Sequence, residues 1–167
     1  MTRSTPLVRL LKLTLACALC AAGAAHAQLP VQPAANQEAL LASADPALAA
    51  NKKLVYDFWR EVFEGGHMEL ADKYMAESYV QHNPNVPTGR AAFVDFFKRF
   101  AKPKDVQPRI AAPLVSIVAE RDLVILSFVE PTKDPKDASK VSTTTWFDMF
   151  RVENGRIAEH WDCAIRQ

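Results

Sequence analysis

Glycine is scarce in this chain, five residues in 167. They form neither a Gly-x-Gly-x-x-Gly run nor a Gly-x-x-x-x-Gly-Lys run, which excludes the loops that cradle dinucleotides and nucleoside triphosphates. A Gly-x-Ser-x-Gly elbow for a serine nucleophile is also missing. Neither charge sign dominates, with 20 basic residues against 19 acidic ones. A chain without a basic excess is a poor partner for nucleic acid or for an anionic membrane surface. Long apolar runs are missing except for one, Leu13 to Ala25, which follows Arg3, Arg9 and Lys12 and precedes Ala25-His26-Ala27. Basic flank, short apolar stretch and small-x-small end describe a secretory signal peptide over residues 1–27, cut before Gln28. The run is too short to span a bilayer. Thr14-Leu15-Ala16-Cys17 is a poor lipid-anchor context, so an anchor ranks second to cleavage. The expected location is periplasmic or secreted.

Cleavage removes three basic and no acidic residues, leaving a slightly negative chain long enough for one domain with a core. It also removes Cys17 and Cys20, so Cys163 remains alone and forms no internal disulfide. Strand alternation turns Cys163 away from Asp162, against a nucleophilic role.

Residues 28–50 are rich in Pro, Ala and Gln and read as a flexible linker. The domain is expected over residues 51–167. Leu54, Val55, Phe58, Trp59, Val62 and Phe63 share one helical stripe, ended by Gly65-Gly66. Met68 to Met75 is a second, shorter helix. Tyr79 to His82 is a short extended piece, followed by a Pro-constrained loop. Thr88 is positioned to cap a third helix with the stripe Phe93, Phe96, Phe97 and Phe100. Beyond Lys102 the pattern turns to strands. Ile110 to Ala119 and Leu123 to Val129 are apolar on nearly every residue, as strands covered on both faces are. Pro131 to Lys140 is a solvated loop. Helices first and an antiparallel sheet after them give an α+β arrangement, a cone-shaped curved sheet wrapped around the N-terminal helices with an internal pocket.

The last two strands flank Asn154-Gly155, a strong hairpin signal. A two-residue loop there puts Asp148 opposite Trp161. A three-residue loop with Gly155 left-handed puts Asp148 opposite His160 and is the reading favoured here. It gathers Trp146, Asp148, Phe150, His160 and Asp162 on one face, and turns Phe147, Met149, Ile157 and Trp161 outward. Carboxylates and an imidazole among aromatics suit an acid–base site. A merely solvated sheet face is the plain alternative. His82 is a fourth candidate, held by the Asn83-Pro84 pair; a turn histidine bonded to backbone is its plain alternative. His67 reads as surface. His82, His160 and a carboxylate match a two-histidine, one-carboxylate metal triad in composition. No His-x-x-x-His is present, and no Cys-x-x-Cys lies outside the leader. The expectation is therefore no metal and no cofactor.

Two stretches, Tyr79-Val80-Gln81-His82-Asn83-Pro84 with Gly89, Arg90 and Phe93, and Phe150 through Asp162, resemble the SnoaL-like polyketide cyclase group of the nuclear transport factor 2-like superfamily. The resemblance runs from about Asn51 to Gln167. It implies a cone with a deep apolar pocket, often dimeric, and cofactor-independent aldol ring closure. The cyclases' catalytic Asp falls seven residues after the hairpin glycine, at Asp162 here. Where they carry a pocket histidine on the preceding strand, this chain has Asp148.

Removing a proton beside a carbonyl needs a base near the carbon and a donor for the developing oxyanion. Asp162 is the expected base, with Asp148, His160 and His82 as partners. Tyr79, Gln81, Asn83, Trp146 and Phe150 are expected to contact a hydrophobic small molecule. Three readings stay open: a lyase or isomerase, a non-catalytic binding protein using the same pocket, and a structural or partner-binding domain. The large outward residues lead to an expected homodimer packed sheet to sheet.

Overall fold

The computed structural model describes residues 29–167, so the expected signal peptide lies outside the described residues. Among those described, no helix is long and apolar enough to cross a membrane.

Residues 29–50, expected as a tether, are instead built into the fold. Val31 N–H donates to Thr143 Oγ1 (2.7 Å) and Ala34 N–H to Leu114 O (2.8 Å). The Gln37 amide accepts from the Tyr56 hydroxyl (2.8 Å) and Ile110 N–H (3.1 Å), and donates to Ile110 O (2.9 Å). The segment is thus held by satisfying polar groups that the core leaves buried, and Leu40 and Leu41 pack against that core. Composition does not reveal this, because the partners lie up to 112 residues away.

Helix α1, Pro46–Phe58, starts where Asp45 accepts from Ala47 N–H, with Pro46 at the first turn. It runs on into a π-helical turn, Trp59–Glu64, in which Gly65 N–H reaches Arg60 O (3.0 Å). Val55, Tyr56, Phe58, Trp59 and Val62 are buried, whereas Phe63 is partly exposed. Gly66 sits at φ +75°, and a Cβ there would lie 2.6 Å from Lys102 O. The chain turns through Met68–Leu70 and the short α2, Ala71–Tyr74. Met75 opens strand β1, Met75–Gln81, so the second helix ends before it. Helix α3, Arg90–Phe97, is not capped by Thr88. The Thr88 hydroxyl instead bridges the Gln81 backbone, accepting from its N–H and donating to its carbonyl, and so anchors the loop to β1.

Strands β2 (Leu114–Glu120), β3 (Leu123–Lys133), β4 (Val141–Glu153) and β5 (Arg156–Asp162) complete one open five-stranded sheet in the order β1-β5-β4-β3-β2. All pairs are antiparallel except β1 with β5. The concave face closes on α1 through an aromatic cluster. Phe58 lies about 6 Å, centroid to centroid, from Tyr74, Phe93 and Phe150, and Trp59 stacks on Phe128 at 4.7 Å. On the convex face Val118 and Phe147 remain exposed.

The β4–β5 hairpin corrects the expected register. Asn154 (φ 51°) and Gly155 (φ 70°) form a two-residue turn with Glu153 opposite Arg156. Positive φ at both positions suits the twist of the strands. The ladder then slips at Ala158, an extra residue between Ile157 (opposite Val152) and Glu159 (opposite Arg151). Beyond this bulge Phe150 faces His160, and Asp148 faces Asp162 rather than His160. The two-residue turn has its own effect, because it sets Ile157 opposite Val152. Ile157, expected outward, points inward and is fully buried.

Candidate active site

Asp148, Phe150, His160 and Asp162 share the concave face. Strand β1 adds to it, because its parallel pairing sets Gln81 against His160. Alternation then turns Tyr79 and Gln81 inward and His82 outward. These side chains, with Asn83 and the helix residues Phe58, Trp59, Phe63, Phe93 and Phe97, line a chamber of about 90 Å³. Its wall at Trp59, Asn83, Asp148 and Asp162 is shared with a wider recess of about 570 Å³, where Trp146 and Phe128 lie. Trp146 is therefore at the recess and not in the chamber.

His82 is not brought to this cluster. Its ring lies parallel to Trp161 at 5.0 Å on the convex side, and Nε2 contacts Glu159 Oε1 at 2.6 Å. Glu159 also pairs with Arg151. The backbone N–H of His82 donates to His160 O (3.0 Å), so the two histidines are joined through the sheet but face opposite ways. Cys163 is exposed. His67 binds Glu69 and the Lys104 carbonyl, away from the chamber.

The polar groups form one connected set. His160 Nε2 lies 3.0 Å from Asp148 Oδ1, and Nδ1 lies 2.9 Å from Gln81 Oε1. Gln81 Nε2 donates to the Tyr79 hydroxyl (2.9 Å), and Gln81 Oε1 also accepts from Asn83 N–H (2.9 Å). Asn83 Nδ2 donates to Asp162 Oδ2 (2.6 Å), while Asp162 Oδ1 accepts from Ala164 N–H (2.8 Å). One atom is left over. Asp148 Oδ2 is buried and has no hydrogen-bond partner among the described residues.

Asp148 is only 4 % exposed. Burial is the main influence on its carboxyl and raises its pKa above the ordinary value; His160 works against that and the charge of Asp162 adds to it. The Trp146 indole favours the charged form slightly but makes no hydrogen bond of normal geometry. The Tyr79 phenol is also pushed up, first by burial and then by Asp162 and Asp148, so it stays protonated.

A two-histidine metal triad is not assembled, since His82 faces the other way. Asp148, His160 and Asp162 do offer three donor atoms within 4.8 Å of one another. A small divalent cation would fit that donor set only by opening the contact between His160 Nε2 and Asp148 Oδ1. The arrangement as it stands is a hydrogen-bonded acid–base pair beside a second carboxylate.

Residues 55–160 match the model of the SnoaL-like domain. The chain belongs to the SnoaL-like family. Among curated proteins none matches it. Solved structures similar to this SnoaL-like domain include a protein described as a polyketide cyclase from Acidithiobacillus ferrooxidans, 22% identical over 68% of this chain and 86% of that one, TM-score 0.47. Another, described as an epoxide hydrolase from M. tuberculosis, is 14% identical over 68% of this chain and 80% of that one, also at 0.47. A third, described as a polyketide cyclase from Bacillus cereus, is 18% identical over 71% and 76%, at 0.44. Likeness at this level says nothing about which reaction the SnoaL-like domain here performs.

The sequence reading found the sheet residues of the site but treated its helix residues as plain core. Phe58, Trp59, Phe93 and Phe97 do lie on the expected stripes. A stripe that packs on a sheet and one that also walls a chamber carry the same periodicity. The π-helical turn at Trp59–Glu64 left no recognisable mark in the sequence.

Proposed function

We propose that this SnoaL-like domain catalyses cofactor-independent proton transfer beside the carbonyl of a small hydrophobic molecule, as a lyase, isomerase or aldol-type cyclase. The observation that carries the reading is Asp148 Oδ2, a buried carboxylate oxygen without a partner among the described residues, lining an aromatic chamber. Burial raises the Asp148 pKa toward the working range of a general base. His160 holds the other oxygen and stabilises either proton arrangement of the pair. We assign the base to Asp148 in preference to Asp162, because both Asp162 oxygens are already held by Asn83 and Ala164. Asp162 then acts as the neighbouring charge that helps keep Asp148 basic.

A second reading has its own support. His160, Gln81, Asn83 and Asp162 are satisfied by one another, as in a pocket that binds without reacting. The experiment is exchange of α-protons for deuterium in a panel of small aryl ketones, followed by proton NMR. Catalysed exchange in the wild type, reduced on the order of 10²–10⁴-fold in Asp148→Asn, supports the enzyme reading. Asparagine keeps the size and can still donate to His160 Nε2, so the fold should survive. Binding of the ketones without exchange would favour the second reading.

A further inference from the structure

We infer that Gln81 is a positioning residue that fixes where the hydrogens of the chamber lie, and so sets a donor for a ligand beside the acceptor at Asp148. The inference begins with the Asn83 backbone N–H, which can only donate. Its contact at 2.9 Å therefore identifies the Gln81 atom it meets as oxygen. The amide is thereby oriented, with its nitrogen toward Tyr79. His160 Nδ1 meets the same oxygen at 2.9 Å. A carbonyl oxygen cannot donate, so Nδ1 carries a hydrogen.

That leaves one hydrogen for the 3.0 Å contact between His160 Nε2 and Asp148 Oδ1. Either the imidazole holds it, as an imidazolium beside a carboxylate, or Oδ1 holds it, beside a neutral ring. In both arrangements Oδ2 is bare and accepts. Tyr79 is treated the opposite way. Its oxygen accepts from Gln81 Nε2–H, so its own hydrogen must point elsewhere. Tyr79 is 2 % exposed and lines the chamber, and no acceptor for its O–H is found among the described residues.

The Gln81 amide therefore turns the Tyr79 hydrogen toward the chamber, beside the acceptor at Asp148 Oδ2. A ligand that answers both carries a carbonyl-type acceptor together with a hydrogen-bearing group, an N–H, an O–H or an acidic C–H. The aromatic walls suit a flat ring bearing these. This rests on the reading of the same chamber as a proton-transfer site, but its test does not.

The test is nitrogen-15 NMR of the histidine rings in the purified protein, assigned with His67→Gln and His82→Gln, neither of which touches the chamber. His160 should show a protonated Nδ1. Gln81→Leu should lose that preference. Gln81→Glu should keep it, because a carboxylate accepts from the same position. A bare Nδ1 in the wild type, or an unchanged His160 spectrum in Gln81→Leu, would overturn the inference. Should Gln81→Leu not fold, the wild-type and Gln81→Glu spectra still decide. As a ligand probe, benzamide carries an acceptor and an N–H donor, and methyl benzoate, which has no acidic C–H, carries only the acceptor. Benzamide should bind about tenfold tighter, the value of one added hydrogen bond to Asp148, and Gln81→Leu should weaken both ligands by releasing the Tyr79 donor. Equal binding to the wild type would refute the donor–acceptor pattern. A protein with the expected His160 spectrum and no ketone exchange would sink the catalytic reading alone.

Discussion

Asp148 and His160 are worth removing one at a time and then together. His160→Phe preserves the ring contact with Phe150, now 4.6 Å between centroids. It strips Asp148, 4 % exposed, of its one hydrogen-bond partner among the described residues. A buried charge left without a partner costs about 3–5 kcal/mol. Asp148→Leu leaves His160 Nε2 buried and unpaired, at about 1–3 kcal/mol. The double variant has neither orphan, and apolar replacement of a buried pair is often neutral or stabilising. It should therefore lie within about 1 kcal/mol of the wild type, with a coupling of about 3 kcal/mol or more. Urea unfolding near neutral pH measures all four proteins. The pH dependence has a defined sign. Burial raises the Asp148 pKa, and removing His160 removes what opposes that rise. The stability of His160→Phe is thus fully present below the ordinary carboxylate range and falls as pH rises through the raised value. Its penalty should shrink in acid. Single-variant losses that simply add, to within about 0.5 kcal/mol, would refute the reasoning.

Other perturbations test other levels. Gly66→Ala forces a side chain into the left-handed region and into the Lys102 carbonyl, and should cost about 1–3 kcal/mol by thermal or urea unfolding. Phe147 is 47 % exposed on the convex face beside β3. If two copies associate through that face, Phe147→Asp should weaken dimerisation by a few kcal/mol in light scattering, whereas a wild-type monomer at micromolar concentration ends the proposal. Mass spectrometry of the protein from the bacterial periplasm should find Gln28 at the N-terminus; an uncut chain would overturn export by a cleaved leader.

Much of this arrangement is written locally. The helical stripe from Leu54 to Val62, the aromatic one at Phe93 and Phe97, and the hairpin at Asn154-Gly155 all depend on near-neighbour spacing and on which residues tolerate positive φ. The shared face of Asp148, Phe150, His160 and Asp162 is also legible, though for an instructive reason. The register expected and the register found differ by two residues, and a period of two hides that difference. A slip of one would have turned His160 and Asp162 to the convex side. The bulge at Ala158 prevents this, and nothing in its sequence marks it.

Long-range pairing settled the rest. The sequence of Gln81-His82-Asn83 says that consecutive side chains alternate, but not which of them faces the chamber. That choice came from β1 lying parallel beside β5 with Gln81 against His160, an alignment made by residues about 80 positions apart. It sent His82 to Trp161 and Glu159, and Gln81 and Asn83 to His160 and Asp162. The same holds for Gln37, whose partners Tyr56 and Ile110 exist as a pair only in the folded chain. Periodicity and turn chemistry act over a few residues and are carried by the sequence itself. Which polar atom is left without a partner, as Asp148 Oδ2 is, depends on every neighbour at once, and only the packed structure decides it.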